Sequence, residues 1–140
     1  MSMEKELLNT FDKELLIKDL SSRLPYGVKC ENFSHTYGRN VFKVTDIRDN
    51  GYICGIINDK YGSAVFDPLE LKPYLFPLSS MTEEQRQELE SLMVVITVPA
   101  WGKILSPTPE YYDWLNKNHF DYRGLIKKGL AIDATGLNIY

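Results

Sequence analysis

The chain has 140 residues, of which 44% are hydrophobic and 25% are charged, and its net charge is −3. These values are typical of one globular domain over residues 1–140, with a single core. The longest basic run is Lys127-Lys128. Non-specific nucleic-acid binding, which needs a basic stripe, is therefore disfavoured.

The N-terminal sequence and the two cysteines bear on the cellular compartment of the protein. Charged residues stand near the N-terminus where a signal peptide needs an apolar run, and no stretch approaches the ~20 apolar residues that span a bilayer. Cys30 and Cys54 are too few and too far apart for a metal knuckle. We expect a cytoplasmic protein with reduced thiols and no membrane association.

The first predicted element is a helix from about Lys13 to Arg23. Leu16, Leu20 and neighbouring apolar residues recur at helical spacing, and Pro25 forces the helix to end. Apolar residues before Asp12 lie on a different helical face, and Asp favours N-cap positions. Residues 1–11 are therefore predicted to form an extension.

Short strands follow, at Val28–Asn32, Val41–Arg48, Tyr52–Ile57 and Ser63–Phe66. Asn50-Gly51 supplies the positive φ angles of a tight hairpin between the second and third strands. The pattern predicts a small twisted antiparallel sheet, with an SH3-like barrel as its closed alternative.

Caps and prolines organise the middle of the chain. Asp67-Pro68 starts a short turn, and 71–78, with Pro73 and Pro77, is predicted to be a crossover that packs on the sheet. Thr82 and Gln85 have the spacing of a capping box, which predicts a helix to about Leu92. That helix should bury its apolar residues, namely Leu89, Leu92 and Met93.

The last third of the chain begins with Val94–Val98, which is predicted to be a buried strand. Thr108-Pro109 then has the pattern of an N-cap followed by proline at the first helical position. We expect a helix from Pro109 to about Asn118 and a helical C-terminal region.

His119 and Asp121 are the only candidates for catalysis or metal binding. They lie two residues apart, so on extended backbone both side chains point the same way, and His35 is the only other histidine. The structural alternative makes Asp121 the cap of a final short helix and pairs Arg123 with a carboxylate. We expect the structural role, with no catalytic residue, metal or cofactor.

Aromatic residues surround this pair and define the predicted binding surface. Exposed, they would form a platform for a protein partner or a second copy, whereas buried they would be core. The predicted binding residues are Trp114, His119, Phe120, Asp121, Tyr122 and Arg123.

Three segments resemble a known family: ELLIKDLSSRLPYGVK at residues 14–29, LKPYLFPLSSMTEE at 71–84 and DWLNKNHFDYRGLIKKGLA at 113–131. Together they are similar to an uncharacterised family of small proteins of gut bacteria and their phages. The resemblance implies a bacterial or phage origin, and it implies no activity and no functional residue.

The sequence thus predicts an α+β domain that acts as a non-enzymatic interaction or regulatory module of a mobile element. One alternative is a small metal-dependent or hydrolytic enzyme using His119 and Asp121. The other is a nucleic-acid-binding protein, which would need its basic residues on one face: Lys103, Lys117, Arg123, Lys127 and Lys128.

Overall fold

A computed structural model describes residues 3–33, 40–58 and 62–140. Three helices are formed by Met3–Arg23 (α1), Glu83–Glu90 (α2) and Pro109–Lys117 (α3). The strands are Lys29–Asn32 (β1), Asn40–Ile47 (β2), Ile53–Asn58 (β3), Gly62–Phe66 (β4), Leu71–Pro77 (β5), Met93–Val98 (β6), Gly102–Pro107 (β7), Phe120–Asp121 (β8) and Ile132–Asp133 (β9). The predicted α+β class is confirmed.

The main sheet has the strand order β4-β3-β2-β1-β5-β8, and β9 also pairs with β5. Pairing is antiparallel from β4 to β5, whereas the two-residue strands β8 and β9 run parallel to β5. This mixed sheet is open along the described strands, so it does not take the form of an SH3-like barrel. Strands β6 and β7 pair only with each other among the described residues.

The N-terminal helix is longer than the sequence predicts. It begins at Met3 rather than near Lys13, and Asp12 lies in its interior. No glycine or proline interrupts residues 3–23, so the backbone hydrogen bonds continue through the change of apolar face. The predicted end is confirmed, because α1 stops at Arg23 and a 3₁₀ turn containing Pro25 follows.

The largest core cluster lies between α1 and the antiparallel strands. Leu20 from the helix is fully buried and belongs to the same cluster as Phe42, Ile53 and Phe66. The Phe42 and Phe66 rings meet edge to face at 4.9 Å. Phe42 also lies so close to Gly55 that no Cβ would fit there, which explains a glycine within β3.

The predicted hairpin is present between β2 and β3. Arg48 N–H donates to the Tyr52 carbonyl at 2.9 Å, and Gly51 N–H donates to the Arg48 carbonyl at 2.8 Å. Only Gly51 has a positive φ in this turn, at 87°, so glycine alone supplies the left-handed residue.

The proline-containing segment is a strand of the sheet and not a crossover lying on it. Leu71–Pro77 forms β5, which pairs with β1 through Cys30↔Pro73 on one edge and with β8 and β9 on the other. Proline lacks an N–H donor but fits extended backbone, so it is accommodated where the β1–β5 ladder ends.

The predicted caps are confirmed at atomic detail. Thr82 Oγ1 accepts from Gln85 N–H at 3.1 Å, while Gln85 Oε1 accepts from Thr82 N–H at 2.9 Å. Thr108 caps α3 by accepting from Tyr111 N–H. Helix α2 ends at Glu90, and Leu89 is its buried residue. Leu92 and Met93, which were predicted to be buried with it, lie beyond the helix and are half-buried.

Candidate functional site

His119 follows α3 and has an unusual backbone conformation. Its φ is 61°, in the left-handed region that glycine and asparagine normally occupy after a helix. The backbone holds it firmly, because His119 N–H donates to the Asn116 carbonyl and the His119 carbonyl accepts from Phe76 N–H at 2.8 Å. This position places the imidazole at the edge of the main sheet.

The imidazole is buried, with the residue only 7% exposed. Its ring lies parallel to that of Tyr140, with centroids 3.5 Å apart. Nδ1 has no hydrogen-bond partner within the described residues. Burial, together with the charges of Arg23 and Lys29, lowers the pKa of His119 to about 4, so the ring is neutral at pH 7.

Tyr140 fixes the far side of this stack. Its hydroxyl accepts from Lys29 N–H and donates to the Tyr74 carbonyl, both at 2.9 Å. The side chain therefore bridges β1 and β5 one residue beyond the Cys30↔Pro73 pair, where the direct ladder stops. No motif in the sequence indicates this role, because it joins residues far apart in the chain.

A cleft of about 530 Å³ opens beside His119. Phe76, Phe120 and Tyr140 form its aromatic walls, and Lys117 is the charged residue that lines it. The remaining lining residues are mostly polar and come from four parts of the chain: Ser80, Gln85, Asn118, Thr135 and Gly136. Its volume lies in the usual range for small-ligand sites.

Asp121 takes the predicted capping role. Its two carboxylate oxygens accept from Leu125 N–H and Ile126 N–H, both at 2.9 Å. The segment that it caps is a hydrogen-bonded turn and not the short helix that the sequence predicts. Both oxygens are therefore engaged in holding the backbone.

The enzymatic hypothesis requires metal ligands or a nucleophile near His119. Within residues 3–33, 40–58 and 62–140, no three metal-binding side chains converge. Ser80 shares the cleft with His119, but its hydroxyl donates to the Pro77 carbonyl at 2.7 Å. His35, the other histidine of that hypothesis, lies outside the described residues.

Arg123 belongs to a buried ionic cluster. It donates to Asp19 at 2.8 Å, and Arg23 donates to the other carboxylate oxygen at 2.9 Å. Arg23 also donates to the Phe120 carbonyl at 2.6 Å, and both guanidinium groups lie near the Tyr122 ring. The predicted pairing of Arg123 with a carboxylate is confirmed.

Sequence reasoning missed Asp19 and Arg23, which are both fully buried. A signal was available, because positions 16, 19, 20 and 23 share one helical face. Two charged residues four apart on an apolar face indicate a buried pair.

Among the aromatic residues of the predicted binding surface, Phe120 is buried, whereas Trp114 and Tyr122 are half-buried. Phe120 is 3% exposed, and Trp114 stacks on it with ring planes 4° apart. Leu89, Leu115 and Phe120 form a satellite cluster on which Tyr111, Trp114 and Tyr122 pack. Of the predicted binding residues, His119 and Phe120 line the cleft, and His119 Nδ1 is a buried polar atom without a hydrogen-bond partner in the described ranges.

The strand predicted to be buried is instead exposed. Strands β6 and β7 form a two-stranded ribbon, and Val95 and Leu105 on one face are 61% and 63% exposed. Ile96 and Ile104 pair on the opposite face and are also exposed. Trp101, in the connecting turn, is 80% exposed. The prediction was wrong because β-branched composition reports strand formation and does not report which neighbours cover the strand.

A second exposed apolar surface lies on the first turns of α1. Leu7, Leu8 and Phe11 are each more than half exposed.

Comparison with known proteins finds no matching family model, no matching curated protein and no matching solved structure. None of the helices in the described ranges has the length and apolar content required to cross a membrane.

Proposed function

We propose that this chain is a non-enzymatic interaction module that associates with a second copy of itself through the ribbon of β6 and β7. The observation that carries the proposal is a ribbon with apolar side chains exposed on both faces and at its tip. The family resemblance supports a cytoplasmic accessory or regulatory role in a bacterial or phage mobile element.

An isolated two-stranded ribbon is marginally stable in water, because neither face excludes solvent from the backbone hydrogen bonds. The base of this ribbon is joined to the body of the protein, where Thr108 Oγ1 donates to the Leu92 carbonyl at 2.6 Å. An uncharged, proline-free edge such as β6 also favours pairing with other chains. A partner that covers the ribbon would exclude water from its backbone hydrogen bonds and would block the exposed edge of β6.

Charge distinguishes the two faces of the ribbon. One face carries Val95 and Leu105 next to Thr97 and Lys103, whereas the other is uncharged. The uncharged face presents an aliphatic surface: Val94, Ile96, Val98 and Ile104. Two copies can pack this face against itself without opposing like charges, which makes it self-complementary.

The size of the ribbon limits the expected affinity. Two strands of this length present a face of roughly 20 Å by 10 Å. A standard interface buries about 800 Å² per partner, so the ribbon together with the exposed Trp101 supports only weak association. We expect a dissociation constant of roughly 10 to 100 µM.

Sedimentation velocity from about 1 to about 500 µM protein tests the proposal. We expect reversible dimerisation that the paired substitutions Ile96→Thr and Ile104→Thr weaken at least roughly tenfold, since they remove apolar surface from both copies. Threonine preserves β propensity, and amide hydrogen exchange of residues 93–107 verifies that the ribbon still forms.

Val95→Thr with Leu105→Thr is the matched control, because it alters the cross-strand pair on the face that carries Lys103. This variant should dimerise as the wild type does. A wild-type protein that stays monomeric throughout the concentration range contradicts the proposal. So does a dimer that is lost only when Leu7 and Phe11 are made polar, since that result would assign the interface to α1.

A further inference from the structure

We propose that the cleft beside His119 binds a planar heteroaromatic ring whose edge carries a hydrogen-bond donor next to an acceptor, as in purine nucleosides and nucleotides. This inference is independent of the ribbon and of dimerisation.

The polar groups of the cleft offer one donor and one acceptor from amide side chains. Gln85 Oε1 is engaged by the Thr82 N–H, which leaves the Gln85 amide NH₂ as a donor. Asn118 Nδ2 donates to the Trp114 carbonyl at 2.9 Å, which leaves Asn118 Oδ1 as an acceptor. Amide side chains are the usual partners of an adenine edge, which has an acceptor nitrogen beside an amino group.

The walls of the cleft suit a flat ligand. Phe76 and Tyr140 lie at its side with ring centroids 6.1 Å apart, and their planes are inclined by 56°. Aromatic walls of this kind stabilise a heterocycle by stacking or edge contact, and they do not favour an extended aliphatic chain. A volume of about 530 Å³ accommodates a nucleoside.

The charges near the cleft allow an anionic group on the ligand. Lys117 is exposed where it lines the cleft, and Arg23 and Lys29 act on His119 from the protein side. Asp133 places a carboxylate next to the lining residue Thr135, because its Oδ1 accepts from the Thr135 N–H and hydroxyl. A phosphate near Lys117 would gain affinity, so a nucleotide should bind more tightly than its nucleoside.

The conformation of His119 also points to a site. A left-handed, non-glycine backbone is strained by roughly 1 kcal/mol or more, and such strain concentrates where a particular side chain is needed. Nδ1 is buried without a hydrogen-bond partner in the part of the chain that the structure describes, although glycine at this position would avoid both features. His119 lines the cleft, so contact between its ring and a bound ligand accounts for a histidine at this position.

Isothermal titration calorimetry with adenosine, AMP, purine riboside and a short oligodeoxyadenylate tests the proposal. We expect saturable binding of adenosine, and roughly tenfold weaker binding of purine riboside, which lacks the amino donor. AMP should bind more tightly than adenosine, and Lys117→Gln should remove that difference. Trp114, stacked on Phe120, provides a fluorescence signal in a Trp101→Phe background.

Two substitutions test the site itself. Gln85→Glu keeps the capping oxygen but removes the amide donor, and His119→Asn removes the ring at a position whose φ asparagine tolerates. Each should weaken adenosine binding roughly tenfold. The ribbon variant with Ile96→Thr and Ile104→Thr should bind as the wild type does.

If the oligonucleotide binds but free adenosine does not, the cleft recognises an adenine ring, and the natural ligand is a single-stranded nucleic acid. Absence of saturable binding by all four compounds up to about 1 mM would overturn the proposal. Binding unchanged by both Gln85→Glu and His119→Asn would also overturn it, because the ligand would then lie elsewhere.

Discussion

Asp19 is fully buried, and two arginines share its carboxylate. The three side chains carry a net positive charge inside the protein, and the Tyr122 ring faces both guanidinium groups. Loss of the carboxylate would leave two buried cations opposed to each other, whereas loss of Arg123 leaves the Asp19–Arg23 pair intact. The single carboxylate therefore contributes more than Arg123 to keeping this junction folded.

We expect Asp19→Asn to lower the free energy of unfolding by roughly 3 to 5 kcal/mol, because it leaves buried charges unpaired. Arg123→Met should lower it by roughly 1 to 2 kcal/mol, since the Arg123 side chain retains 15% exposure. Urea denaturation of both variants measures the difference. If both variants lost the same free energy of unfolding, the ion pair between Asp19 and Arg23 would not be stable without Arg123.

Tyr140 shows how one side chain completes a sheet. Its hydroxyl lies between the Lys29 N–H and the Tyr74 carbonyl, and its ring covers His119. Strand β5 contains Pro73, which supplies no N–H to the ladder with β1. The main-chain ladder between β1 and β5 ends at Pro73, and the Tyr140 hydroxyl joins the two strands one residue further on through its side-chain hydrogen bonds.

Tyr140→Phe should lower the free energy of unfolding by roughly 1 to 2 kcal/mol, because a donor and an acceptor lose their partner while the ring stack remains. Tyr140→Leu should lower it further, since the stack on His119 is then lost as well. Thermal and urea unfolding measure both effects. The loss should appear as faster hydrogen exchange at Lys29, and unchanged exchange there would contradict the bridging role.

At the scale of the whole molecule, His119 links stability to pH. Burial and nearby cations lower its pKa from about 6.5 to about 4 in the folded protein. The unfolded chain therefore binds more protons between these values, so the stability conferred by the neutral ring is complete above pH 6.5. It decreases as the pH falls towards 4.

We expect the wild type to lose roughly 2 to 3 kcal/mol more than His119→Asn between pH 6.5 and pH 4, since each pKa unit corresponds to about 1.4 kcal/mol. Urea denaturation across this range measures it, and His35→Asn serves as the matched histidine control. Parallel pH profiles for the wild type and His119→Asn would show that the imidazole titrates normally in the folded state.

The local elements of this fold could be predicted from the sequence. Caps at Thr82 and Thr108, the stop at Pro25 and the turn at Gly51 depend on neighbours within four residues, and all four are confirmed. Asp121 also took its predicted capping role, because capping is a short-range interaction. Interactions between residues close in the sequence can therefore be predicted from the sequence itself.

The tertiary structure alone decided what each element touches. The exposed faces of Met93–Val98, the sheet position of Leu71–Pro77 and the covering of His119 by Tyr140 all depend on contacts between distant residues. Composition indicates that a segment is apolar or extended, but burial depends on which other segment packs against it. The candidate sites therefore became visible only when Gln85, Asn118 and Tyr140 were brought beside His119.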